Sequence, residues 1–241
     1  MNIVTVEHYE QMSEHAAKLV LKQVEEKPDC VLGLATGSTP VGTYQRMAAA
    51  HKRGEISFAD CKSINLDEYL GLGADDEASY RHFMQENLFA HIDVKAENIH
   101  LPNGKNTNVD EVCAAYDKLI ADIGPIDLQI LGIGTNGHIA FNEPDDHFVA
   151  GTHLVDLTED TIEANQRFFS SRDEVPKQAY TMGMAEILRA KRILLLVSGA
   201  QKADALYESL NGPITPQMPA SILQLHDNVT VIADKEALAR F

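Results

Sequence analysis

Val31-Leu32-Gly33-Leu34-Ala35, set between the breaker Pro28-Asp29 and the turn Thr36-Gly37-Ser38-Thr39-Pro40, decides the fold. A short continuous apolar run bounded by turn residues describes a strand buried on both faces. Upstream of it, Met12, Ala16, Leu19, Val20 and Val24 recur at helical spacing, and a second helix is expected around 41–51. The order then repeats. Ser63-Ile64-Asn65-Leu66 reads as a strand, 79–91 as a helix capped by Ser79, and Val109, Val112, Cys113, Tyr116, Leu119 and Ile120 share one helical face before a strand at 126–131. Ile193-Leu194-Leu195-Leu196-Val197, a helix at about 200–210, a strand at 229–233 and a short terminal helix complete the pattern. Strands apolar on both faces that alternate with helices imply an α/β fold: a doubly wound, mostly parallel, Rossmann-like sheet with helices on both faces. No boundary or internal repeat divides 1–241, so a single domain is expected.

The 241 residues are 44% hydrophobic and 23% charged, an ordinary globular composition. Thirty-six acidic against twenty basic residues leave a net charge of −16, which repels nucleic acid and anionic membranes. Neither is an expected partner. Any phosphorylated ligand must be held by a few local cations. Cys30, Cys61 and Cys113 are odd in number and far apart in sequence, and they read as reduced core residues. The N-terminus has no basic-then-apolar leader and no apolar run reaches membrane-spanning length, so a cytoplasmic protein is expected.

In sheets of this kind ligands bind beyond the carboxyl ends of the strands. After the first buried strand, Thr36-Gly37-Ser38-Thr39-Pro40 offers hydroxyls, a flexible turn and a helix start, with Thr39 as N-cap and Pro40 as first helical residue. This is either an anion cradle or an ordinary capped turn. Lys202, in Ser198-Gly199-Ala200-Gln201-Lys202, falls in a first helical turn where the dipole disfavours a cation by ~0.3–1 kcal/mol. A phosphate shared with the 36–39 turn would account for it, with Arg167 as a second candidate cation. Gly132-Ile133-Gly134-Thr135-Asn136-Gly137 fits a dinucleotide fingerprint, yet Pro144 follows too soon for the long helix that such a site requires. The loop instead gathers Asn136, His138 and Glu143, an amide, an imidazole and a carboxylate suited to acid–base work. Asp67, directly after Leu66, is expected to project into the same crevice as a carboxylate base, whereas Glu68 points elsewhere on a local turn. These elements suit proton transfers on a sugar phosphate. No metal constellation is visible.

Leu34-Ala35-Thr36-Gly37-Ser38-Thr39-Pro40, Asn65-Leu66-Asp67-Glu68-Tyr69, the stretch from Gly134 to Pro144 including Gly137-His138-Ile139-Ala140-Phe141-Asn142-Glu143-Pro144, Gly199-Ala200-Gln201-Lys202-Ala203 and Leu223-Gln224-Leu225-His226 together resemble the glucosamine-6-phosphate deaminase family in its short form. The resemblance runs through nearly the whole chain. It implies conversion of glucosamine 6-phosphate and water to fructose 6-phosphate and ammonia without a cofactor. By analogy His138, assisted by Glu143 and Asn136, opens the sugar ring, and Asp67 moves the C2 proton to C1. Thr36, Gly37, Ser38 and Thr39, with Arg167 and Lys202, would bind substrate and phosphate, and 157–177 would form a lid. Some family members have aspartate where this chain has Asn136. Longer members carry a C-terminal extension and basic residues for an allosteric activator, where this chain has His153 and Val155 and ends at Phe241. A monomer or small homo-oligomer acting on an amino-sugar phosphate is therefore expected. Two competing readings share the layout: a 6-phosphogluconolactonase, which needs no base at C2, and a non-catalytic sugar-phosphate sensor.

Overall fold

The computed structural model describes residues 1–166, 169 and 171–241, the side chains of 160 and 164 excepted. Its elements run β1 (Asn2–Val6), α1 (Tyr9–Glu26), β2 (Val31–Leu34), α2 (Ser38–Lys52), β3 (Lys62–Asn65), β4 (Asp67–Tyr69), α3 (Tyr80–Asn87), β5 (Ile99–His100), α4 (Val109–Ile123), β6 (Leu128–Leu131), β7 (His153–Asp156), α5 (Glu159–Asn165), β8 (Gln178–Thr181), α6 (Met184–Arg189), β9 (Ile193–Val197), α7 (Ala203–Asn211) and β10 (Val229–Asp234). Seven strands form one sheet in the order β1-β10-β9-β6-β2-β3-β5. Every pairing in it is parallel.

The strand order explains where a ligand can enter. From β2 the chain steps outward to β3 and β5, then returns to the other side of β2 to lay down β6, β9 and β10. Right-handed crossovers in opposite directions place their helices on opposite faces, and the connections leaving β2 and β6 diverge. The resulting crevice lies at the carboxyl ends of those two strands, where the 36–39 turn and the 132–138 loop sit. The doubly wound α/β expectation holds. β2, β6 and β9 are buried at every residue, which is why their sequences lack alternation.

Several boundaries differ from the sequence reading. α2 begins at Ser38 with Gly37 in the N-cap position, so Thr39 is inside the helix and caps nothing. Gly37 holds φ +86°, a left-handed conformation favourable to glycine, and leaves the backbone N–H groups of the first turn facing outward without a side-chain cap. The 79–91 helix divides into α3, capped by Ser79 as expected, and a 3-10 turn from Phe89 to His91. The chain ends in turns rather than a terminal helix. A second sheet, β4-β8-β7, is antiparallel and was not anticipated. It carries Asp67 away from β3 and toward the crevice. Cys30 and Cys61, distant in sequence, lie on neighbouring strand starts with their Sγ atoms 3.8 Å apart, and all three cysteines are free thiols.

Candidate active site

A cavity of about 740 Å³ opens at the carboxyl ends of β2 and β6. Thr36, Gly37, Ser38 and Thr39 line it from one strand end and Gly134, Thr135, Asn136 and His138 from the other, with Asp67 and Lys202 completing the wall. The structure thus gathers nearly all the residues selected from sequence. Glu143 stands behind His138, and Arg167 lies outside the described residues.

Asp67 begins β4, immediately after the chain leaves the main sheet at Leu66. Its side chain is buried, and its carboxyl is pushed up to about 8, first by burial and then by the neighbouring Glu68 charge. The Thr36 hydroxyl beside it opposes part of that rise. A free aspartate is ionised far below neutrality, whereas this one exchanges its proton close to physiological pH. Such a value suits a base that must both take and return a proton.

Glu68 points away from the cavity, as expected. Its carboxylate accepts hydrogen bonds from the backbone N–H groups of Tyr69, Tyr80 and Arg81, each 2.9 Å away, and so closes the N-terminus of α3. Burial raises this carboxyl to about 7, against the pull of those three donors.

The 132–150 segment contains no helix, so the glycine pattern at 132–137 does not open one, as expected from Pro144. Its folding is local and dense. The Asn136 amide donates to Glu143 Oε2 at 2.7 Å, and the Asn136 carbonyl accepts the His138 backbone N–H at 3.1 Å. His138 Nδ1 stands 3.3 Å from the same Oε2, an ion pair whenever the imidazole is protonated. The imidazole lies flat on Gly134: a Cβ there would come within 2.3 Å of the ring, so only glycine fits. Glu143 is itself buried, which alone would raise its carboxyl, but the His138 contact and charge, Thr161 and Asn136 hold it down at about 2. The dyad therefore keeps an anion behind the imidazole throughout the neutral range.

Gly37, Ser38 and Thr39 at the start of α2 share the cavity lining with Ser198, Gln201 and Lys202 in the turn preceding α7. Lys202 sits at the N-cap of α7. Asp234 at the end of β10 accepts the Ser198 hydroxyl at 2.5 Å and the Gly199 N–H at 3.1 Å, fixing that loop. Tyr9 buttresses α2 by donating to the Ser38 carbonyl at 3.0 Å and accepting from Gly42 N–H at 2.8 Å.

Sequence reasoning missed Tyr9, Tyr80, Thr161, Asn165, Ser198 and Gln201, all of which line the cavity. Ser198 and Gln201 precede Lys202 in a motif already singled out and could have been found there. Tyr9 belongs to the N-terminus of α1, and no local pattern marks it as a neighbour of Ser38.

The family model for glucosamine-6-phosphate isomerases and 6-phosphogluconolactonase matches residues 5–232. The chain is 52% identical over 237 residues to the glucosamine-6-phosphate deaminase of Thermoanaerobacter sp. (strain X514), covering 98% of this chain and 94% of the relative. It is 50% identical over 240 residues to that of Clostridium novyi (strain NT), covering both in full. Among solved structures, a monomeric glucosamine-6-phosphate deaminase superposes with a TM-score of 0.96 at 46% identity, covering 99% of each chain. A 6-phosphogluconolactonase from Thermotoga maritima shares the fold alone, with a TM-score of 0.74 at 21% identity, covering 97% of this chain and 98% of that one. With the model spanning most of its length and relatives at half identity over all of it, the chain belongs to the family of glucosamine-6-phosphate isomerases and 6-phosphogluconolactonases.

Proposed function

We propose that this chain deaminates and isomerises glucosamine 6-phosphate, giving fructose 6-phosphate and ammonia, with Asp67 as the base at C2 and His138 as the ring-opening group. The observation that carries the reading is the placement of a buried, near-neutral carboxyl, Asp67, in the same cavity as the His138–Glu143 pair and two helix N-termini. Relatives at half identity named as glucosamine-6-phosphate deaminases support it. A lactonase would need no base at C2.

The phosphate binds where the first turn of α2 presents N–H groups around Gly37, Ser38 and Thr39, with Thr36 beside them and Lys202 and Arg167 supplying charge. Binding energy from this remote group orients the sugar carbons between Asp67 and His138. His138 relays a proton between the ring oxygen and the C1 hydroxyl as the C1–O5 bond breaks, while Glu143, held by Asn136, stabilises the positive charge on the imidazole. Asp67 then removes the C2 proton: the C–H electrons form the C1–C2 double bond while the C1 carbonyl π pair moves onto O1, which takes a proton from water. Asp67 next delivers its proton to C1 as the nitrogen lone pair forms the C2 iminium. Water adds to C2 and ammonia departs. The lid expected over 157–177, of which Thr161 and Asn165 line the cavity, limits the access of bulk water during these steps.

The whole of 1–241 works as one catalytic unit, placed in the cytoplasm and acting as a monomer or small homo-oligomer. Among the described residues no helix is long and apolar enough to cross a membrane. The decisive assay follows ammonia and fructose 6-phosphate from glucosamine 6-phosphate, with chelator present, for the natural chain and Asp67→Asn. Stoichiometric products from the former and a loss of at least ~10²-fold in the latter are expected. Binding without turnover overturns the reading in favour of a sensor, and hydrolysis of a phosphogluconolactone instead moves it to the lactonases.

A further inference from the structure

Glu143 divides its two oxygens between different neighbours. Oε2 faces Asn136 and His138, whereas Oε1 faces hydroxyls from the segment expected as a lid: Thr161 of α5 donates to it, and the Thr158 hydroxyl lies 3.3 Å away. Thr158 is the N-cap of α5, and its Oγ accepts the Thr161 backbone N–H at 3.3 Å. One turn further along, Asn165 donates to the Tyr69 hydroxyl at 2.9 Å, and that hydroxyl accepts from Tyr80 at 3.0 Å. Leu157 and Ile162 are buried with Tyr69, Tyr80 and Phe141 in a small apolar cluster beside the cavity. The helix is therefore anchored on both sides of its contact with Glu143.

We propose that Thr161, backed by Thr158, is a positioning residue that fixes the rotation of the Glu143 carboxylate so that Oε2 serves His138 during ring opening. The inference rests on the ring-opening role assigned to His138 above. The terminal torsion of a glutamate is loosely two-fold, so Asn136 alone leaves the carboxylate free to turn. A hydroxyl on the opposite oxygen removes that freedom, and a hydrogen bond to a charged group is strong enough to do so. Capping of α5 does not explain the Thr161 hydroxyl. The cap uses the Thr158 oxygen and the Thr161 backbone N–H, both of which survive when Thr161 becomes valine.

Thr161→Val keeps the side chain's shape and removes only the hydroxyl, and Thr161→Ser keeps the hydroxyl and removes the methyl. The experiment measures kcat and KM for glucosamine 6-phosphate in the natural chain and both variants, together with the isotope effect from substrate deuterated at C2. For Thr161→Val, kcat is expected to fall on the order of ten- to hundredfold, with KM within about threefold, and Thr161→Ser to recover most of the loss. The isotope effect should be no larger than that of the natural chain, because the slowed step precedes C2 proton transfer. Unchanged kcat, a loss that serine does not rescue, or an isotope effect above the natural one would overturn the proposal. Thr161→Ala gives the same readings should the valine variant fold poorly. Failure of the natural chain to release ammonia is a separate outcome, which overturns the deaminase reading and this inference with it.

Discussion

Asp67 concentrates the conflict between stability and chemistry in a single side chain. Burial and the Glu68 charge raise its carboxyl from the ordinary aspartate range to about 8 in the folded protein, while in the unfolded chain it titrates near its usual value. Between those two values the native state binds a proton that the unfolded state has released, so this group's contribution to stability falls as pH rises from about 4 to about 8. Asparagine has no proton to lose. Asp67→Asn is therefore expected to be more stable than the natural chain at pH 8, by an amount on the order of a few kcal/mol, with the difference shrinking toward pH 4. Denaturant titrations of both proteins at pH 5 and pH 8 would read it, and a gap independent of pH would show that Asp67 is ionised in the native state throughout. The variant that loses activity should thus gain stability.

At the level of the element, α3 is tied to the chemistry through its cap. Glu68 gathers the Tyr80 and Arg81 N–H groups at the start of α3, together with that of Tyr69 in β4, and thereby holds a second carboxylate next to Asp67, and that charge is the second cause of the Asp67 shift. Since the base works only when ionised, kcat/KM is expected to rise about tenfold per pH unit below 8 and level above it. Glu68→Gln removes the like charge, lowers the Asp67 value, and should move that acidic limb to lower pH by about half a unit or more. An unmoved limb would mean that burial alone sets it. β2 and β9 were legible because burial on both faces leaves an unbroken apolar run, and β6 because only Gln129 interrupts its own. The sheet formed by β4, β7 and β8 was not: its strands are three or four residues long, carry polar residues, and pair across long stretches of chain. The resemblance put 157–177 over the site but did not single out Thr161 and Asn165 within it, because their place in the cavity lining depends on how α5 packs. Asp67, His138, Glu143 and the 36–39 turn could be found because each follows a readable strand, and the topology brings such ends together.

The whole molecule sets the field in which these residues act. On the proposed function the crevice between β2 and β6 receives an anionic sugar phosphate, yet the chain carries a net charge of −16. Attraction must come from helix N-termini and the cations at the cavity, which act over a few ångströms, whereas repulsion from the remaining surface acts over a Debye length. That length is ~30 Å at 0.01 M salt and ~8 Å at 0.15 M. At low ionic strength an approaching substrate meets the repulsion of the entire protein, and at physiological ionic strength it meets only the charges near the site. Raising sodium chloride from about 0.01 to 0.15 M is therefore expected to increase kcat/KM for the sugar phosphate, by about twofold or more, opposite to the decline shown by sites that draw in anions through a positive field. A steep decrease with salt would show that Lys202 and the helix N-termini dominate the approach as well as the bound state, and that the acidic surface lies out of reach of the cavity mouth.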